Sequence, residues 1–192
     1  TGSAAVAAGA AISQAVPAQA QLSSSSSALS SARLPKEPAP APYAAFMHGV
    51  ASGDPIPNSV IIWTRVTVSP DAVPGSGVGA DVDVRWEIAT DREFTNVVRS
   101  GTQRATAKTD HTVKVDPNGL QPGTDYFFRF HYNGQTSPIG ATHTAPAFEA
   151  DLEQYNLAIA SCANYECGYF TAYRDMAERA EAGDIDLVIF LG

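Results

Sequence analysis

The sequence predicts an all-β sandwich followed by the first strand–helix–strand unit of an α/β domain. Three observations carry this expectation. From Ala44 to about Ala147 the chain holds short β-branched and aromatic runs, several of them alternating apolar with polar residues. Turn sequences such as Pro117-Asn118-Gly119, Pro122-Gly123-Thr124 and Asn133-Gly134-Gln135 separate those runs. After Phe148 the pattern switches to an apolar run, a segment of helical period and a second apolar run.

Each element has its own signal. SVIIWTRVTV at 59–68 is bounded by Pro57-Asn58 and Ser69-Pro70. VDVRWEIAT at 82–90 places Val82, Val84, Trp86 and Ile88 on one face, because successive side chains in a strand alternate. HTVKVD at 111–116 and TDYFFRFHY at 124–132 repeat the pattern. GLQPGTDY at 119–126 is more specific. Leu120, Pro122, Gly123 and Tyr126 fit a tyrosine corner, in which the hydroxyl bonds back to nearby backbone as the chain enters a strand. The segment 44–147 is therefore expected to be a fibronectin type III-like domain.

In the segment 148–192, YNLAIAS (155–161) reads as a buried strand. GYFTAYRDMAERAEAG (168–183) reads as a helix with Phe170, Tyr173, Met176, Ala177 and Ala180 on its apolar face and Gly183 as its stop. IDLVIFLG (185–192) is the near-continuous apolar strand that a parallel sheet buries on both faces. One strand–helix–strand unit cannot close a core, so this domain is expected to continue past Gly192.

The first 20 residues carry no charge, are rich in small apolar side chains and end in Ala18-Gln19-Ala20. They read as the apolar and cleavage regions of an export signal without its basic start. Residues 21–43 are rich in Ser, Pro and Ala and read as a linker, part flexible and part extended. No segment is long and apolar enough to predict a membrane span. A formal net charge of −8 argues against nucleic acid as a partner, since no basic patch is present to neutralise phosphates.

The two cysteines, Cys162 and Cys167, are too few for a disulfide framework. Cys162 lies just past the first strand of the α/β segment and Gly192 just past the second. Ligands of open α/β sheets sit beyond the carboxyl ends of the strands, so both are expected on the binding rim. A thiolate there could serve as a nucleophile or a metal ligand. Position alone equally allows an inert buried cysteine, or a local bridge to Cys167 in an oxidising compartment.

Several longer motifs sharpen that choice. FMHGVASGDPIPNSVIIWTRV, WEIATDREFTNVVRSGT, GLQPGTDYFFRF and SPIGATHTAP resemble, in order, the N-terminal sandwich of the PhoD family of exported alkaline phosphatases and phosphodiesterases. LAIASCANYECGYFTAYRDMAE followed by DLVIFLG resembles the start of that family's metallophosphatase domain. The resemblance covers about Tyr43 to Gly192. It implies an exported hydrolase, typically sent by the twin-arginine route, that cleaves phosphate esters with a metal-activated hydroxide at an iron–calcium centre. It also implies that Cys162 is a ligand of ferric iron, and it gives Cys167 no metal role. In the family the second strand continues Gly-Asp-Tyr, whose Asp and Tyr bind metals too. This chain stops at Gly192, so it is expected to be inactive alone, and the rest of its own catalytic domain is an implied partner. The physical logic suits phosphoester hydrolysis, because a ferric ion can acidify bound water while calcium ions offset charge on phosphate oxygens.

The remaining candidates read as structural. His48 is expected in a turn opening the sandwich, and His111, His131 and His143 on or beside strands. Gly75, Gly77 and Gly79 lack the lysine and helix of a phosphate loop and read as a flexible hairpin loop. The competing functional reading is a secreted fibronectin-like binding module with no chemistry.

Overall fold

The computed structural model describes residues 43–164, 166 and 168–192. The expected export signal, nearly all of the linker, and Cys167 lie outside the described residues.

Eight strands build a sandwich. They are β1 (Val50–Ile56), β2 (Ser59–Arg65), β3 (Val82–Ala89), β4 (Val97–Ala105), β5 (Thr112–Val115), β6 (Asp125–Tyr132), β7 (Gln135–Thr136) and β8 (Gly140–His143). One sheet has the order β1-β2-β5. The other has the order β4-β3-β6-β7, with β8 pairing the opposite end of the same β6 edge. Every pairing within these two sheets is antiparallel. The sheet margins meet where β1 lies against β8 and β4 against β5, which shields edges that would otherwise expose unpaired backbone. This is the fibronectin type III-like sandwich that the strand spacing and tyrosine corner predict.

Alternation supplies its core. Val60 and Ile62 of β2, Val84 and Ile88 of β3, Val113 and Val115 of β5, and Tyr126, Phe128 and Phe130 of β6 all point inward and are buried. Trp86, on the same face as Val84, is half-buried against this cluster. The Phe128 and Phe130 rings meet edge to face, with centroids 6.1 Å apart. Gly140 is required by close approach, because a Cβ there would sit 2.2 Å from the Phe128 ring. The tyrosine corner forms as expected: the Gln121 N–H donates to the Tyr126 hydroxyl oxygen at 2.9 Å, and Leu120 is buried beneath it.

Two strands that the alternation does not announce complete the sandwich. β1 reads VASGDPI and β4 reads VVRSGTQRA, and both are largely exposed. The glycine-rich segment at 75–79 also differs from its expectation as a hairpin loop. It lies in the connection from β2 to β3, which belong to different sheets, and the Gly75 N–H donates to Asp110 at 3.0 Å.

The α/β segment comprises β9 (Leu157–Ala160), α1 (Thr171–Glu181) and β10 (Leu187–Phe190). β9 and β10 are parallel, with Leu157 opposite Leu187 and Ala160 opposite Phe190. Among the described residues both strands are only partly covered. Leu157, Ile159 and Phe190 are 51%, 65% and 60% exposed. Burial on both faces needs a layer on each, and the described residues supply one helix. Tyr173 of that helix meets Phe190 edge to face at 5.7 Å. Leu157 and Ile159 alternate onto the other face.

The helix itself is shorter than its period suggests. Phe170 sits at its N-cap with φ 52°, stacking on Tyr173, rather than inside it. Tyr173 and Met176 are half-buried, whereas Ala177 and Ala180 are exposed. Gly183 ends the helix as predicted. Its φ of +81° is the left-handed conformation that lets its N–H reach Ala180 O and the Asp184 N–H reach Arg179 O, a Schellman motif.

Candidate functional site

The parallel pair places its two strand ends on one rim. The Asp186 carboxylate accepts the Asn156 N–H at 2.6 Å, and the Asp186 N–H returns a bond to Asn156 O at 3.0 Å. These bonds set the register at the start of both strands. At the other end the Leu191 N–H donates to Ala160 O at 2.9 Å. Cys162 and Gly192 are thereby brought together, with the Cys162 thiol donating to Gly192 O at 3.5 Å. Among the described residues Cys162 is a free, exposed cysteine. Beside it, a groove between β9 and α1 is lined by Ala160, Ser161, Cys162, Tyr173, Met176 and Arg179.

As a metal site, this rim offers one side-chain donor of the right chemistry. Among the described residues, no group of three or more His, Cys, Asp or Glu side chains is close enough to hold an ion. Thiolate sulfur suits iron, whereas calcium takes oxygen ligands. Cys162 therefore fits as one ligand of an iron site, and no cage for calcium is formed by the described residues.

The four histidines sit where structural roles are expected. His48 lies in the turn before β1 and takes a bond from Arg65 Nη1 at 3.2 Å. Arg65 is a buried hub. It grips Asp110 through Nε and Nη2, both at 3.0 Å, and also bonds Ala72 O. Asp110 is held below the usual carboxylate range by that guanidinium. His111 is fully buried with Nε2 3.1 Å from Ala80 O. His143 pairs with Asp125 at 2.7 Å across the β6–β8 ladder.

His131 belongs to a cluster that the sequence does not disclose. On the outward face of the five-stranded sheet, Glu87 is 8% exposed. It accepts bonds from Arg129 Nε at 2.9 Å, from His131 Nε2 at 3.1 Å and from Arg85 Nη1. Arg129 in turn lies 3.9 Å over the Phe94 ring. Burial pushes the Glu87 carboxyl up, but the bonds from Arg129, His131 and Arg85 outweigh it and hold the group at about 2. Burial pushes His131 below its ordinary value, against the pull of Glu87. The available signal is the outward parity of Arg85 and Glu87 on one strand and Arg129 and His131 on another. That the four meet depends on the β3–β6 register, in which Arg85 faces His131 and Glu87 faces Arg129.

Comparison with known proteins places the chain. Residues 29–146 match the model for the N-terminal domain of PhoD-like phosphatases, and residues 157–192 match the PhoD-like phosphatase model. Alkaline phosphatase D of Bacillus subtilis (strain 168) is 44% identical over 148 residues, which cover 77% of this chain and 24% of that protein. A solved structure of PhoD superposes with a TM-score of 0.70 at 44% identity, covering 77% of this chain and 27% of that one. The chain thus spans about a quarter of the length of these relatives. Together, the two family matches, the 44% identity and the shared fold show that the chain belongs to the PhoD-like phosphatase family.

Proposed function

We propose that this chain is the N-terminal portion of an exported PhoD-like phosphatase that hydrolyses phosphate monoesters or diesters, with Cys162 as a thiolate ligand of its iron. The observation carrying the proposal is the meeting of Cys162 and Gly192 at the carboxyl ends of β9 and β10, where an α/β sheet presents its ligands. Cys162 would hold iron, and calcium would require oxygen donors beyond this rim. Such a centre, when bound, supplies Lewis acidity that activates water and offsets charge on the phosphate. The role of this chain's own residues is positional. The Asn156–Asp186 bonds and the Leu191-to-Ala160 bond fix the strand register, and that register aims the Cys162 sulfur at the rim.

Export is proposed from the charge-free run ending in Ala18-Gln19-Ala20, with the twin-arginine route as the family's habit. Among the described residues, no helix is long and apolar enough to cross a membrane. The domain boundaries follow as signal 1–20, linker 21–43, sandwich 44–147 and the start of the catalytic domain from 148. The last of these divisions falls between the end of β8 at His143 and the start of β9 at Leu157.

The test uses 4-nitrophenyl phosphate and bis(4-nitrophenyl) phosphate. The 192-residue chain alone is expected to show no metal-dependent turnover. A chain extended through the rest of the catalytic domain is expected to turn over at least one substrate and to show a visible sulfur-to-iron absorption band. Cys162→Ser should remove that band and most of the activity. A visible spectrum and an activity both unchanged by this substitution would exclude Cys162 as the ligand.

A further inference from the structure

The outward face of the five-stranded sheet carries a saddle that neither the sandwich core nor the rim at Cys162 uses. Strand register builds it. Thr102 of β4, Arg85 of β3 and His131 of β6 lie side by side, and Thr136 of β7 follows His131. With Asp83 and the Asn133–Gly134 turn they line an open cavity.

Its charge is locally positive on a chain of net charge −8. Arg104 neutralises Asp83 at 3.0 Å, and Arg129 neutralises Glu87 at 2.9 Å. The charge of Arg85 is left over. Glu87 stays anionic because its carboxyl is held at about 2, so it anchors Arg85 through Nη1 at any neutral pH. Among the described residues, Arg85 makes its side-chain hydrogen bond through Nη1 alone, and its side chain is 53% exposed. The Nε–Nη2 edge of the guanidinium therefore remains open. That edge presents two parallel N–H donors, the geometry that matches two oxygens of an oxyanion. Anchoring by Glu87 lowers the entropy lost when the edge is used, since the guanidinium is already held. His131 is held too: its Nε2–H faces Glu87, which leaves Nδ1 to accept from the Thr136 hydroxyl at 3.0 Å. Thr102 pairs with Arg85 across the β3–β4 ladder and lines the same cavity, so its hydroxyl is a further donor there.

We propose that this saddle binds a single phosphate-class oxyanion, gripped by the Nε–Nη2 edge of Arg85 with Thr102 beside it. The site stands on the sandwich alone and does not depend on the chemistry proposed for Cys162. The shared group has two sources, free phosphate or a phosphate carried on an ester.

Two-dimensional NMR titration of the 192-residue chain distinguishes them, with inorganic phosphate and dimethyl phosphate as probes at constant ionic strength. Saturable shifts centred on Arg85 Nε–H and the Thr102 amide are expected. Saturation by dimethyl phosphate identifies an ester-borne group, and saturation by inorganic phosphate alone identifies the free ion. Arg85→Gln should weaken binding at least about tenfold, the size expected for a charge-assisted hydrogen bond. Thr102→Val should weaken it several-fold, and it carries the test if Arg85→Gln does not fold. Arg174→Gln, on α1, should leave binding unchanged. Absence of saturable shifts with both probes, or wild-type affinity in both saddle variants, overturns the proposal.

Discussion

The sandwich and the β9–α1–β10 unit draw on the same apolar alphabet and do opposite things with it. In the sandwich, Ile62, Val84, Ile88 and Phe130 are fully buried between two sheets. In the parallel unit, Ile159, Phe190 and Leu191 are 65%, 60% and 70% exposed, and the helix has no buried residue. The difference lies in layers rather than in composition. An apolar strand is stabilised only when a second layer removes it from water, and each sheet of the sandwich supplies that layer to the other. The polar groups follow the same division. The sandwich buries Arg65, Glu87 and His111 and gives each hydrogen-bond partners, whereas the side-chain bonds of the parallel unit are exposed, at the strand starts, on the helix and at the rim.

The largest expected effect tests this contrast directly. Phe130→Ala should cost about 3–5 kcal/mol in urea unfolding, because a fully buried ring leaves a cavity. Ile159→Ala should cost less than about 0.5 kcal/mol, as for other surface changes. Equal losses would break the comparison. Next comes acid. The folded Glu87 carboxyl is lowered from an ordinary 4.5 to about 2, so its contribution is complete above the ordinary value and is lost as pH falls towards 2. The loss is at most about 3 kcal/mol for a shift of that size. His131 acts in the same sense, since its lowered value means that the folded state resists protonation. The urea midpoint should therefore drop between pH 7 and pH 3, and Glu87→Gln should flatten that drop. A smaller effect is expected from Tyr126→Phe, which removes the acceptor for the Gln121 N–H and should cost about 1–2 kcal/mol. Smallest at the global level is Gly183→Ala. It places a Cβ at φ +81° and should cost about 1 kcal/mol, confined to the helix end. Amide exchange at 182–184 should accelerate while sandwich amides stay protected.

Legibility in the sequence divides along physical lines. Strands with one buried face announce themselves by alternation, as in Val82, Val84, Trp86 and Ile88. β1 and β4 do not, because they are margin strands whose Gly, Asp, Ser and Arg residues face solvent and need no apolar period. Gly183 and the tyrosine corner are legible because each solves a local backbone problem with a specific residue. The Glu87 and Arg65 networks are not, because their members come from separate strands and loops and meet only through register and crossover.

By itself the sequence determined the local events: which segments alternate, where the chain turns, where the helix stops, and that a cysteine follows the first parallel strand. These depend on neighbours a few residues apart. Only the tertiary structure decided that Cys162 reaches Gly192 across a parallel pair and that Arg85 is anchored with one edge open. Those outcomes depend on which strand lies beside which and in what register, and no residue encodes that alone.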